Sequence, residues 1–92
     1  MVNSVGSYPE SSPFQVEIIE DCILEHPDAD NNEKVVKKGV ICEVNVSGGK
    51  MNNALLPDRY SFYEQNHPGV LLGFLYKPDF DKAENDGTIC RK

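Results

Sequence analysis

In runs that begin at Phe14, Cys22 and Val40, apolar side chains recur at every second residue, and that period confines the chain to short, half-buried strands. Phe14, Val16 and Ile18 alternate with Gln15 and Glu17, sending one set to each face of a strand. The alternation slips at Ile18-Ile19 and resumes at Cys22 and Leu24, so a bulge or bend is expected near Glu20-Asp21. Val40, Cys42, Val44 and Val46 alternate with Ile41, Glu43 and Asn45 in the clearest strand of the chain. Between these runs, residues 25–33 (EHPDADNNE) hold only Ala29 as an apolar side chain and read as an exposed loop. Residues 35–38 read as a short strand, with Lys38-Gly39 a turn or bulge.

The second half is less regular. Ser47-Gly48-Gly49-Lys50 reads as a tight connection, because glycine supplies positive φ without steric cost. Residues 51–66 leave two readings open. Tyr60 and Phe62 fit one face of a strand, while Leu56, Tyr60 and Tyr63 fit helical spacing and Pro57 suits a helix start; the aromatic density tilts the balance towards strand. His67-Pro68-Gly69 reads as a turn. Residues 70–76 (VLLGFLY) are apolar on both faces and read as the most buried strand, with Gly73 marking a bend or a close backbone approach. Residues 1–13, rich in Ser, Gly and Pro, read as a flexible arm, and residues 81–92, charged and sparse in apolar groups, as a mobile tail.

What remains is a single β-rich domain over residues 14–80. A chain of 92 residues with 39% hydrophobic side chains has room for one modest core. The fold class expected is all-β or β-rich α+β: a small SH3-like barrel or a rolled antiparallel sheet of about four to five strands. The step from Lys37 through Gly39 to Ile41 resembles the bent hairpin of SH3-like small barrels, over roughly residues 14–46. That resemblance implies a small barrel and fixes no function.

Charge narrows the partners. Fifteen acidic residues against nine basic ones give a net charge of −6. Both nucleic acid and anionic membrane surfaces call for the opposite sign. No apolar run approaches the roughly 20 residues of a membrane helix. Residues 1–12 lack the basic and apolar regions of a secretory signal. Cys22, Cys42 and Cys90 are odd in number and form no C-x-x-C pair, so a disulfide framework is not indicated. The expected setting is a reducing cytoplasm.

No local spacing supplies a catalytic or metal signature. Asp28, Asp30 and Asn32 sit where an EF-hand places its first ligands, but Glu33 and Gly39 occupy the positions that need Gly and a bidentate Glu. Cys22, His26, Cys42, His67 and Cys90 have irregular spacing for zinc. Gly49-Lys50 is followed by Met51 and lacks the rest of a phosphate-binding loop. No cofactor is called for, and enzyme is the least supported class.

Charge segregation is the most informative feature. Glu17, Glu20, Asp21, Glu25, Asp28, Asp30 and Glu33 occupy one segment with no Lys or Arg among them. The leading expectation is a non-enzymatic binding protein that docks this acidic surface on a basic protein partner, as an inhibitor would, with Tyr60 or Tyr63 as apolar support. Short acidic one-domain proteins of this composition are common among phage and mobile-element accessory proteins. A second reading places a small anionic ligand such as a nucleotide among Lys37, Lys38, Lys50 and Arg59. A third is a structural subunit whose exposed strand edges pair with copies of itself.

Overall fold

The computed structural model describes residues 12–92 except 49, 52, 53 and 56, and gives the backbone alone for residues 50, 51, 54, 55 and 68. The arm proposed for residues 1–13 therefore lies outside the described residues apart from Ser12 and Pro13. The chain forms a curled, antiparallel half-barrel sheet, as the alternating pattern implies. The strands are β1 (Phe14–Ile18), β2 (Cys22–Glu25), β3 (Glu33–Val36), β4 (Ile41–Ser47), β7 (Arg59–Glu64), β8 (His67–Tyr76) and β9 (Ile89–Arg91). They lie in the order β3-β2-β8-β7-β4-β1-β9, and a separate two-stranded ribbon joins β5 (Lys50–Met51) to β6 (Ala54–Leu55). Helix α1 (Lys77–Asn85) connects β8 to β9.

The first four strands are two arms of one bent hairpin. Every pair from Phe14↔Val44 to Glu17↔Ile41, and from Cys22↔Val36 to Glu25↔Glu33, keeps the same register offset. Both arms bend together where the alternation slips. Ile18 donates its N–H to the Val40 carbonyl at 2.9 Å, and Gly39 donates to the Ile18 carbonyl at 2.7 Å. Gly39 takes φ +92° at this bend, a conformation that L side chains rarely adopt. The period-2 pattern survives the bend, so Val16, Ile18, Cys22 and Leu24 all stay on the concave side and are buried.

The rest of the core is aromatic. Tyr60 and Phe62 point inwards from β7, and Phe80 of α1 closes over them. The Phe80 ring stacks on Tyr60 with centroids 4.1 Å apart and lies 6.1 Å from Phe14 and 6.0 Å from Phe62. Three sequence expectations are corrected here. The segment read as a mobile tail is the second half of α1 followed by β9, which pairs with β1 from Val16↔Arg91 to Ile18↔Ile89. This segment is held because Ile89, and Phe80 just ahead of the segment on the same helix, are both fully buried. The turn before β8 falls at Gln65-Asn66, while His67 and Gly69 belong to the strand. And β8 is not the most buried strand, since Val70 is 47% exposed. The expected Ser47-Gly48-Gly49-Lys50 connection includes Gly49, which lies outside the described residues; β5 beyond it pairs with β6.

Helix α1 is nine residues long, too short to persist without packing. Pro78 and Asp79 in its first turn suit a helix start and its dipole, and Lys77 pairs with Asp81 at 3.2 Å one turn on. Gly87 ends it at φ +78°, where Thr88 donates to the Ala83 carbonyl at 2.9 Å. Arg91 then ties β9 to the helix, its Nε 2.7 Å from Glu84 and its guanidinium 4.4 Å from the centre of the Phe14 ring. No helix among the described residues is long and apolar enough to cross a membrane.

Candidate functional site: an acidic groove beside β2

Strand β2 is bounded by β3 on one edge. On the other, Glu25 pairs with Phe74 of β8, and at the opposite end Ile19 and Glu20 donate to the Thr88 carbonyl at 2.8 and 3.2 Å. Between these two attachments, no strand pairs with residues 21–24 on the edge away from β3 among the described residues. Helix α1 stands away from this gap and leaves a groove of about 560 Å³. Leu75 and Ala83 supply apolar lining, and Asp21, Glu25, Glu33, Asp79 and Asp86 supply five carboxylates against the single cation Lys82.

Gly73 lets β8 approach β2 closely. Its backbone takes φ +152°, and a Cβ there would meet the Leu24 Cβ at 2.5 Å and the Glu25 carbonyl oxygen at 2.8 Å. The close approach anticipated from the sequence is therefore a contact between β8 and β2. His26 fastens the loop beyond. Its Nδ1 accepts the Asp28 N–H at 3.1 Å, which leaves Nε2–H to donate to the Leu71 carbonyl at 3.2 Å.

The acidic candidates divide in three. Asp21, Glu25 and Glu33 line the groove. Glu25 and Glu33 are exposed and directly opposite each other across β2 and β3, an arrangement in which like charges destabilise a sheet. Neither they nor Asp79 and Asp86 have an ion-pair partner among the described residues. Asp21 also braces the bend, accepting the Lys38 N–H at 2.9 Å and pairing with Lys37 Nζ at 3.5 Å. The Lys38 amide, followed by the Lys37 charge, holds its carboxyl below the usual value. Asp28 and Asp30 are exposed on the loop, and Glu20 is exposed on the bend. Glu17 lies apart on β1, 3.5 Å from Lys92 Nζ.

Of the apolar supports, Tyr60 is corrected: it is 1% exposed and stacked inside the core, so it has no surface to offer a partner. Tyr63 is half-buried on β7 between Glu43 and Leu71. Ile23, which lines the groove and is 57% exposed, faces Val35 (49% exposed) across β2 and β3. The resumed alternation at Cys22 and Leu24 already turned Ile23 outwards. Lys82 and Asp86 fall in the segment that reads as a tail, and Asp79 just before it in sequence that carries no strand period. The Pro-Asp start and the Gly87 stop were the signal that could have found the helix.

The basic set does not converge. Lys37 and Lys38 lie at the bend before Ile41, whereas Arg59 pairs with Ser47 at the far end of β4, about 20 Å away at 3.3 Å per residue. Arg59 lies 5.2 Å from the Phe74 ring centre, and the Lys50 side chain is outside what is described. Among the described residues no three His, Cys, Asp or Glu side chains gather into a metal-binding cluster. Cys22 and Cys42 are buried. Burial raises both thiols, Cys42 to about 11 with the nearby Cys22 and Glu64 adding to the effect, so neither is a ready nucleophile at neutral pH. No protein-family model matches this chain, and no curated protein and no solved structure matches it either.

Proposed function

We propose that this protein is a non-enzymatic binding protein that docks its acidic surface on a basic partner protein and acts by occupying that partner's surface. The observation that carries the reading is the collection of carboxylates from two distant segments, β2–β3 and α1, around one groove with a single lysine. The opposed Glu25 and Glu33 support it further, since a basic partner would relieve their repulsion. Ile23 and Val35, exposed on the same hairpin, take the apolar role assigned to Tyr60 by the sequence.

The test is a trade between stability and binding. Glu33→Gln removes one of two facing charges and is expected to raise the melting temperature slightly, by the few tenths to about 1 kcal/mol of a cross-strand pair. The same change, and more strongly Glu33→Lys with Asp86→Lys, is expected to lose a partner that the tagged wild type captures from native lysate at low salt. A partner retained by the charge-reversed protein and at high salt would sink the acidic-docking reading.

A further inference from the structure

The groove has one property that an acidic patch alone does not explain: its wall is the open edge of a strand. A strand directs its peptide groups alternately to its two edges, and over residues 21–24 the edge away from β3 faces the groove with no strand paired to it among the described residues, β8 touching it only where Gly73 meets Leu24. The free stretch spans roughly 13 Å at 3.3 Å per residue. It is bracketed by the Glu20–Thr88 hydrogen bond at one end and the Glu25–Phe74 pair at the other. We infer that the groove between β2 and α1 takes an extended, Lys/Arg-rich peptide segment of the partner, which adds to β2 as a short strand and sets its cations against Glu25, Glu33, Asp79 and Asp86.

This rests on the acidic-docking reading above and specifies what is bound. A helical segment has its peptide groups bonded internally and would leave those of β2 unmet, as would an isolated cation. An extended chain satisfies them, the mode by which peptides join exposed sheet edges. The lining sorts its side chains as well. Leu75 and Ala83 offer apolar contact, while the carboxylates collect positive charge. A peptide alternating basic and apolar residues matches both, because successive side chains of a strand point to opposite faces.

The test uses the full chain and a fluorescein-labelled eight-residue peptide of alternating Lys and Val, read by anisotropy at low salt. A Glu–Val peptide is the charge control. Two further peptides carry N-methyl groups on alternate residues, one set blocking each edge. Strand addition predicts binding of Lys–Val and none of Glu–Val. It also predicts a loss of about tenfold to a hundredfold for the one N-methylated peptide whose blocked edge faces β2. Asp79→Lys with Asp86→Lys, both exposed and outside the core, is expected to abolish Lys–Val binding while the far-ultraviolet spectrum is unchanged. Lys–Val binding that survives in both N-methylated peptides overturns strand addition. So does an absence of Lys–Val binding, and if the salt-sensitive lysate partner is still captured, the acidic-docking reading stands without it.

Discussion

Replacing Phe80 by Ala separates a docked C-terminal segment from a loose one. Phe80 is fully buried and is the one buried residue of α1, so the helix has a single aromatic anchor. Burying a ring of about 200 Å² at 25 cal/mol per Å² gives roughly 5 kcal/mol, and measured Phe→Ala changes in cores run about 3–5 kcal/mol. Stacking on Tyr60 at 4.1 Å places this site in the upper part of that range. A domain of this size has a total stability of about 5–14 kcal/mol, and each kcal/mol moves its melting temperature by roughly 4–8 °C. The expected result is a fall of at least 12 °C in a calorimetric or circular-dichroism melt, with loss of the near-ultraviolet tyrosine signal from Tyr60. A melting temperature within about 2 °C of wild type would refute the reasoning, because it would mean that α1 contributes nothing to the core.

Other changes probe other parts of the fold. Gly73→Ala is expected to cost about 2–5 kcal/mol in urea unfolding, from overpacking against Leu24 and Glu25 plus backbone strain; Gly69→Ala, with nothing within 4 Å of its added carbon, is expected to stay within about 0.5 kcal/mol. In a native thiol titration, exposed Cys90 is expected to react promptly, and buried Cys22 and Cys42 only on unfolding. Asp21 has a folded pKa held below its usual 3.8, so its ionised form stabilises the bend above that pH and the benefit disappears as pH falls through the lower folded value. Asp21→Asn is therefore expected to lower the melting temperature near neutrality and to converge with wild type in acid. A difference that persists unchanged at low pH would rule out the charge as its cause.

The parts of this fold that were legible in the sequence are those governed by local period. The alternations that begin at Phe14 and Val40 place the core of β1 and β4 correctly, and the slip near Glu20 marks the shared bend. Gly73 declares a close approach, although only the fold names Leu24 and Glu25 as what it approaches. The helix and β9 escaped because their stability is tertiary. A segment with Phe80 and Ile89 as its buried anchors looks like solvated chain until the sheet curls to receive them. The site divides along the same line: Asp21, Glu25 and Glu33 were visible as a charge run, whereas Asp79 and Asp86 join them only through packing. Tyr60 misled because aromatic content alone does not say which face of a strand a ring occupies.

The pairing of β9 with β1 also has a consequence in time. Val16 waits for Arg91, which is made after all the other described strands. The bent hairpin and the meander through β8 join neighbouring segments and are free to form as they emerge, since contacts close in sequence are the quickest to close. Until α1 and β9 follow, Tyr60 and Phe62 line a trough with no Phe80 above it, and one edge of β1 is open. During synthesis at about 5–20 residues per second, the stretch from Lys77 to Arg91 that carries α1 and β9 takes on the order of one to three seconds. In that interval the nascent chain exposes both a greasy trough and an unpaired strand edge. That is when a chaperone has most to hold, and when two nascent copies on one message are most prone to pair wrongly.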